Sequence, residues 1–145
     1  MMDIKDIFYI GWYWDMVKAG QTNDIRQRWG RSQYNQGGGH MLPSYVYFAN
    51  PALQFPTDRM AMLYDKDFFK FLKHERGNTR KKLEFIDPRH TDITPEIVKE
   101  KLEYHIRKEG ILVLRLKNEF ISTIPYNTTF SRDVRENYEK YCEPV

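Results

Sequence analysis

Residues 17–31, VKAGQTNDIRQRWGR, carry the pattern that decides the fold. Val17 and Ala19 are expected to share one face of a strand, because successive side chains of a strand point to opposite faces. Lys18 and Gly20 then share the other face, where glycine permits the close approach of a neighbouring group. The stretch therefore opens as a strand that places a lysine and a glycine together.

The second half of this stretch has the signals of a capped helix. Threonine, asparagine and aspartate at 22–24 are favoured caps, and an acidic residue suits the positive end of the helix dipole. Ile25 and Trp29 lie four residues apart, as on one face of a helix predicted over 24–35, with Arg28 beside them. A strand that leads into an arginine-bearing helix can build a binding site, and it is also an ordinary strand-to-helix connection.

The run K-A-G-Q-T-N-D-I-R-Q-R-W resembles the second half of the GIY-YIG nuclease signature, in which a strand leads into a helix with an essential arginine. The first half of that signature is matched by G-W-Y at 11–13. The resemblance places Lys18 at the second signature tyrosine, Gly20 at the signature glycine and Arg28 at the catalytic arginine. It covers residues 8–31 and implies a metal-dependent endonuclease.

This resemblance implies an α/β fold of the α+β type, with a small, mainly antiparallel three-stranded sheet flanked by helices. Residues 1–145 then form a single domain, with a core over about 6–87 and a C-terminal hairpin and helix extension over about 88–145. The pattern of apolar and turn residues predicts strands at 6–14, 16–21 and 44–50, an extended piece at 83–86, helices at 57–75 and 95–109, a hairpin of 111–117 with 120–126, and a tail helix at 131–142.

The first hairpin is predicted to turn at residues 15–16, which sets Tyr13 directly opposite Lys18. By resemblance Tyr13 is the base that activates water, and Tyr9, on the same face of the strand, is the competing choice. Both rings also fit simple packing on the sheet. Lys18 would lower the pKa of a nearby phenol, and Arg28 would hold the scissile phosphate through two hydrogen bonds.

Further residues join the predicted site by resemblance alone. His40 and Tyr34 are candidates because a histidine or tyrosine beyond the arginine helix often assists in this superfamily. A histidine that follows three glycines is otherwise an exposed loop residue. Asn127, in the sequence P-Y-N, is a candidate for the late asparagine of the family.

The metal ligand is the least defined part of the predicted site. The family supplies one glutamate, which binds a Mg²⁺ or Mn²⁺ ion together with water and phosphate. The predicted helix over 57–75 offers Asp65, Asp67 and Glu75, and Glu103 on the later helix is the alternative. Asp65 and Asp67 are equally consistent with a charged helix surface.

Positive charge is densest near the middle of the chain. Arg76, Arg80, Lys81 and Lys82 fall within seven positions, and with Arg31 they are the predicted contacts to the phosphates of nucleic acid. A solvated basic loop has the same composition. The net charge of +3 permits a nucleic-acid partner without requiring one.

Composition narrows the class of protein. Hydrophobic residues at 41% and charged residues at 30% are typical of a globular domain rather than a disordered chain. The single cysteine excludes an intrachain disulfide and a zinc site of several cysteines, and it fits a reducing compartment. We expect an intracellular, cytoplasmic protein without a membrane span. The resemblance implies that it binds DNA, forms a homodimer if it associates, and belongs to a phage or mobile element.

The sequence thus predicts a DNA endonuclease that depends on Mg²⁺ or Mn²⁺. The alternative is a catalytically inactive module of the same fold that binds nucleic acid or a protein partner. A third interpretation is an unrelated interaction domain whose hairpin matches the signature by chance. An active site would bring Tyr13, Lys18, Arg28 and one carboxylate together within the span of one metal ion and one phosphate.

Overall fold

The computed structural model describes residues 6–13, 16–26, 42–49, 85–86, 93–110 and 112–145. Its strands are β1 (Ile7–Tyr13), β2 (Met16–Thr22), β3 (Pro43–Ala49), β4 (Phe85–Ile86), β5 (Val113–Leu116) and β6 (Cys142–Pro144). These form one sheet in the order β4-β2-β1-β3-β5-β6, and every neighbouring pair is antiparallel. The helices are α1 (Pro95–Lys108), a 3₁₀ helix (Asn118–Thr123), α2 (Phe130–Glu136) and α3 (Tyr138–Tyr141).

The α+β class is confirmed, but the prediction of a three-stranded sheet is wrong in size. β1, β2 and β3 form the expected centre, while β4 extends the sheet beyond β2, and β5 and β6 extend it beyond β3. β4 has two residues and β6 has three, so neither is long enough to show an alternating pattern in the sequence.

The predicted C-terminal hairpin is also wrong. β5 is followed by the 3₁₀ helix, and its partner β6 comes from the end of the chain, where Leu116 pairs with Cys142. The predicted tail helix is divided at Asn137, whose backbone leaves the helical region at φ −149° and ψ 70°. The Asn137 side chain then caps α3 by accepting a hydrogen bond from the backbone N–H of Lys140 at 3.3 Å.

One face of the sheet is covered by α1. Thr94 caps this helix by accepting a hydrogen bond from the N–H of Ile97 at 3.3 Å, and Pro95 is its first residue, which is the predicted start of the helix. Just beyond the helix, Gly110 adopts a φ of +69°, a conformation that favours glycine. The buried side chains on this face, some from the helix and some from the sheet, are Phe8, Ile10, Val17, Ala19, Tyr47, Val98, Leu102, Ile106 and Val113.

The other face is covered by the C-terminal segments. Its buried side chains come from the sheet, from residue 25 and from the region of the 3₁₀ helix and α2, and they are Ile7, Tyr9, Ile25, Val46, Phe48, Leu116, Ile124, Phe130, Val134 and Cys142. The sheet is therefore enclosed between α1 and the C-terminal segments in the described part of the chain. Among those residues, no helix has both the length and the apolar character that crossing a membrane requires.

Candidate functional site

The strand, turn and helix start predicted for the first half of the chain are present. β2 ends at Thr22, and residues 25–26 are helical. The Thr22 hydroxyl accepts a hydrogen bond from the N–H of Asp24 at 3.0 Å and donates one to the Asp24 carbonyl at 3.1 Å. The Asp24 carboxylate accepts one from the N–H of Arg26 at 3.1 Å, as a helix cap does.

The register of the first hairpin differs from the prediction. Lys18 pairs with Gly11, and Tyr13 pairs with Met16, so Tyr13 is not directly opposite Lys18. The observed pairing is displaced by two positions, a change that leaves every side chain on its predicted face. Tyr9 and Tyr13 instead occupy the positions on either side of Gly11, each diagonal to Lys18.

Tyr9 packs against Gly20, its cross-strand partner. An ideal Cβ atom at Gly20 would lie 2.6 Å from the Tyr9 Oη and 2.9 Å from its Cζ. Both distances are too short for a Cβ atom, so glycine is the residue that fits at this position. The Tyr9 side chain has 0% of its surface exposed. This complete burial favours a packing role for Tyr9, and Tyr13 is then the better candidate for a base that contacts water.

Gly20→Ala is expected to lower the free energy of unfolding by about 1–3 kcal/mol, because the added methyl group overlaps a completely buried ring. Urea unfolding of the wild type and the variant measures this difference. In a Tyr9→Phe background the same substitution should be less destabilising, since the closest atom, the hydroxyl oxygen, is removed. Equal losses in both backgrounds would contradict the assignment of Tyr9 as the obstructing group.

Lys18 is buried in the sheet, with 2% of its surface exposed. It lies between Gly11 on β1 and Phe85 on β4, on the same face as Gly20. A cation acts more strongly on its neighbours when it is removed from water, because the local dielectric is low. Lys18 is therefore in place to influence ionisable groups on this face.

Glu103 on α1 is a buried carboxylate at the centre of an ion-pair network. Its carboxylate accepts a hydrogen bond from the Tyr47 hydroxyl at 2.8 Å, and Arg115 Nη1 donates to both of its oxygens, at 2.5 Å to Oε1. Arg107 Nη1 lies 3.5 Å and Lys99 Nζ lies 4.0 Å from Oε1. Three cations and a tyrosine thus surround one carboxylate.

This network shifts the pKa values of its members. Burial, together with the charge and hydrogen bond of Glu103, raises the pKa of Tyr47 well above its usual value, so its hydroxyl stays protonated. Burial acts to lower the pKa of Arg115, but hydrogen bonds to Glu103 and Glu143 outweigh it and raise that pKa. Both groups therefore remain hydrogen-bond donors to Glu103.

The sheet separates Glu103 from the other described candidates. α1 covers the face to which Val17 and Ala19 belong, whereas Lys18 and Gly20 alternate with them and belong to the opposite face. Glu103 is thus not brought together with Lys18 or Gly20. Its oxygens already bond to protein donors, so this geometry does not favour Glu103 as the metal ligand.

The remaining candidates lie outside the described residues and stay predictions. They are Arg28, Arg31, Tyr34, His40, Asp65, Asp67, Glu75, Arg76, Arg80, Lys81 and Lys82, together with the side chain of Tyr13. Within the described ranges, no group of three or more histidine, cysteine, aspartate or glutamate side chains could hold a metal ion.

Asn127 has a local structural role in the C-terminal segments. Its side-chain oxygen accepts a hydrogen bond from the N–H of Thr129 at 3.1 Å, and its Nδ2 donates to Asp133 at 3.1 Å. The hydrogen bonds from Asn127 and Thr129 lower the pKa of Asp133. These contacts fix the turn before α2.

Sequence reasoning missed Tyr47 and Arg115 as partners of Glu103. One signal was present: Lys99 and Arg107 lie four residues before and after Glu103, the spacing at which opposite charges meet on a helix. The contacts from β3 and β5 have no such signal, because they depend on where the helix packs across the sheet.

Comparison with known proteins found no matching family model, no similar curated protein and no similar solved structure. A function must therefore be inferred from the residues and geometry of this chain. Membership of the GIY-YIG superfamily stays a prediction.

Proposed function

We propose that this protein is a DNA endonuclease that requires a divalent metal, Mg²⁺ or Mn²⁺, and that its chemistry is of the GIY-YIG type. The observation that supports this most is the connection between β2 and the helix. Lys18 and Gly20 lie on a strand paired with β1, and a capped helix begins at residue 25, three residues before Arg28. The GIY-YIG signature implies the same order of strand, turn and helix.

The chemistry follows from three residues. The Arg28 guanidinium, planar and always protonated, binds the scissile phosphate through two hydrogen bonds and neutralises charge that builds up on its oxygens. Tyr13 accepts a proton from the attacking water. The charge of Lys18 lowers the pKa of that phenol, which favours the deprotonated base.

The metal is expected to bind elsewhere than at Glu103, whose surroundings do not fit a cation. The Glu103 carboxylate already bonds to Arg115 and Tyr47, and two further cations lie within 4.0 Å of Oε1. A divalent ion there would have to displace Arg115 and would be repelled by the other cations. The predicted ligands are therefore Asp65, Asp67 and Glu75.

The test is cleavage of supercoiled plasmid by the wild type with Mg²⁺, with Mn²⁺ and with EDTA. We expect nicking or linearisation with metal only, and a loss of at least about 10²-fold in single-turnover rate for Tyr13→Phe, because that change removes a base. Tyr126→Phe is the matched control, since Tyr126 is 80% exposed, and it should cleave like the wild type. Absence of wild-type cleavage with both metals would refute the proposal.

A second candidate, a module that binds nucleic acid without cutting it, is favoured by one observation. The described members of the predicted site, Tyr9, Lys18 and Gly20, are all buried, and Glu103 lies on the far side of the sheet. This candidate predicts binding to DNA that weakens steeply with salt, without cleavage in any metal. Binding titrations at two salt concentrations, made alongside the plasmid assay, distinguish the two candidates.

A further inference from the structure

The turn between β2 and the helix is held by residues far away in the sequence. Arg26 donates from Nε to the Ile124 carbonyl and from Nη2 to the Pro125 carbonyl, both at 3.1 Å. These two acceptors are consecutive carbonyls just after the 3₁₀ helix. The planar fork of an arginine can bind two neighbouring acceptors at once, which a lysine cannot do in the same way.

A second arginine holds the other side of the same turn. Arg135 on α2 donates from Nε to Asp6 Oδ2 at 2.7 Å and from Nη2 to Asp6 Oδ1 at 2.5 Å. Nη2 also donates to the Asn23 carbonyl at 2.8 Å. One guanidinium thus joins the chain just before β1 to the turn just after β2.

Between the two arginines the turn is anchored by an apolar contact. Ile25 has 0% of its surface exposed and belongs to the same buried cluster as Ile124, Phe130 and Val134. The contacts of Arg26 and Arg135 fix the backbone on both sides of this anchor. Residues 118–137 therefore form a clamp on residues 22–26.

We infer that the clamp sets the direction in which the chain leaves β2 toward Arg28, and that Arg26 and Arg135 are positioning residues for the reaction. The part concerning the reaction rests on the proposed function. Arg26 is separated from Arg28 by one residue in the sequence, and we expect a shift of the turn to displace Arg28 with it. A displacement of about 1 Å in a group that binds the reacting phosphate can lower the rate about 10²-fold.

The inference is tested with Arg26→Ala and Arg26→Lys, with Arg132→Ala as the matched control. Arg132 lies within the clamp, on the same helix as Arg135, but its side chain is 67% exposed and its ion pair with Asp133 spans 3.9 Å. Three quantities are measured: the unfolding midpoint in urea, amide hydrogen exchange of residues 22–26 and of β1, and kcat with KM for plasmid cleavage. Arg26→Lys keeps the charge, and it replaces Arg26→Ala in these measurements if the alanine variant does not fold.

We expect exchange of the 22–26 amides to become at least about 10-fold faster in Arg26→Ala, with β1 exchange unchanged, because only the local opening is made easier. The kcat should fall by about 10-fold to 10²-fold while KM changes little, and Arg26→Lys should recover only part of it. Arg132→Ala should match the wild type in all three quantities.

The inference is overturned if exchange of residues 22–26 in Arg26→Ala equals that in Arg132→Ala. It is also overturned if exchange rises equally throughout the sheet, since Arg26 then stabilises the whole fold and positions nothing. Absence of cleavage by the wild type refutes the proposed function instead. The exchange measurement then still decides whether the clamp exists.

Discussion

Glu103→Ala is expected to lower the free energy of unfolding by about 3–5 kcal/mol, the range found when one partner of a buried ion pair is removed. The Glu103 side chain is 4% exposed and accepts hydrogen bonds from Tyr47 and Arg115. Alanine would leave a buried hydroxyl without this acceptor and a largely buried guanidinium without its main counter-charge. Urea unfolding, followed by circular dichroism at neutral pH, measures the loss.

Two matched variants distinguish the loss of the contacts of Glu103 from the general destabilising effect of a substitution. Glu143 also bonds to Arg115, at 2.9 Å, but its side chain is 47% exposed, so Glu143→Ala should lower the free energy of unfolding by less than about 1 kcal/mol. Glu103→Gln keeps an oxygen for the Tyr47 hydroxyl and loses only the charge. Its loss of unfolding free energy should therefore lie between those of Glu103→Ala and Glu143→Ala. If Glu103→Ala and Glu143→Ala were equally mild, Glu103 would not be the centre of the network.

The sequence predicts best those features that have a short-range cause. Thr94 and Pro95 mark the start of α1 because the cap and the first-turn residue act within three positions of each other. Asp24 marks the start of the helix after β2 for the same reason. The starts of these two helices were accordingly predictable.

The register of the first hairpin needed information that the alternating pattern lacks. A displacement of two residues keeps the apolar side chains on the same face, so the pattern fits both registers equally well. The observed register is the one in which the Tyr9 ring lies over Gly20, the residue that has no side chain. That fit of a large residue over a small one is a tertiary property.

The C-terminal part of the chain also could not be predicted from local patterns, because its structure depends on contacts between residues far apart in the sequence. The run at 120–126 has the composition of a strand, yet most of it lies in or just after the 3₁₀ helix, with Ile124 buried against the sheet. The strand beside β5 is supplied instead by Cys142–Pro144. The clamp could not be predicted either, because Arg26 and Arg135 bond to groups 98 and 129 residues away in the chain.

Arg28→Ala is expected to lower kcat for metal-dependent plasmid cleavage by about 10³-fold, equivalent to about 4 kcal/mol in the barrier. On the proposed mechanism Arg28 neutralises charge on the phosphate oxygens, and alanine leaves that charge uncompensated when it is greatest. Binding of DNA should weaken much less, because phosphate contacts are shared among several basic residues. Single-turnover cleavage and a binding titration at the same salt concentration measure the two effects.

Two further variants test whether the loss of kcat in Arg28→Ala comes from the geometry of the guanidinium as well as from its charge. Arg28→Lys keeps the positive charge but not the planar fork, so we expect it to recover only a small part of the rate. Arg31→Ala removes a predicted phosphate contact and should weaken binding while leaving kcat nearly unchanged, which makes it the closest matched control in sequence. If Arg28→Ala cleaved within about tenfold of the wild type, the strand, turn and helix would not form a GIY-YIG active site, because that site requires this arginine to act on the phosphate.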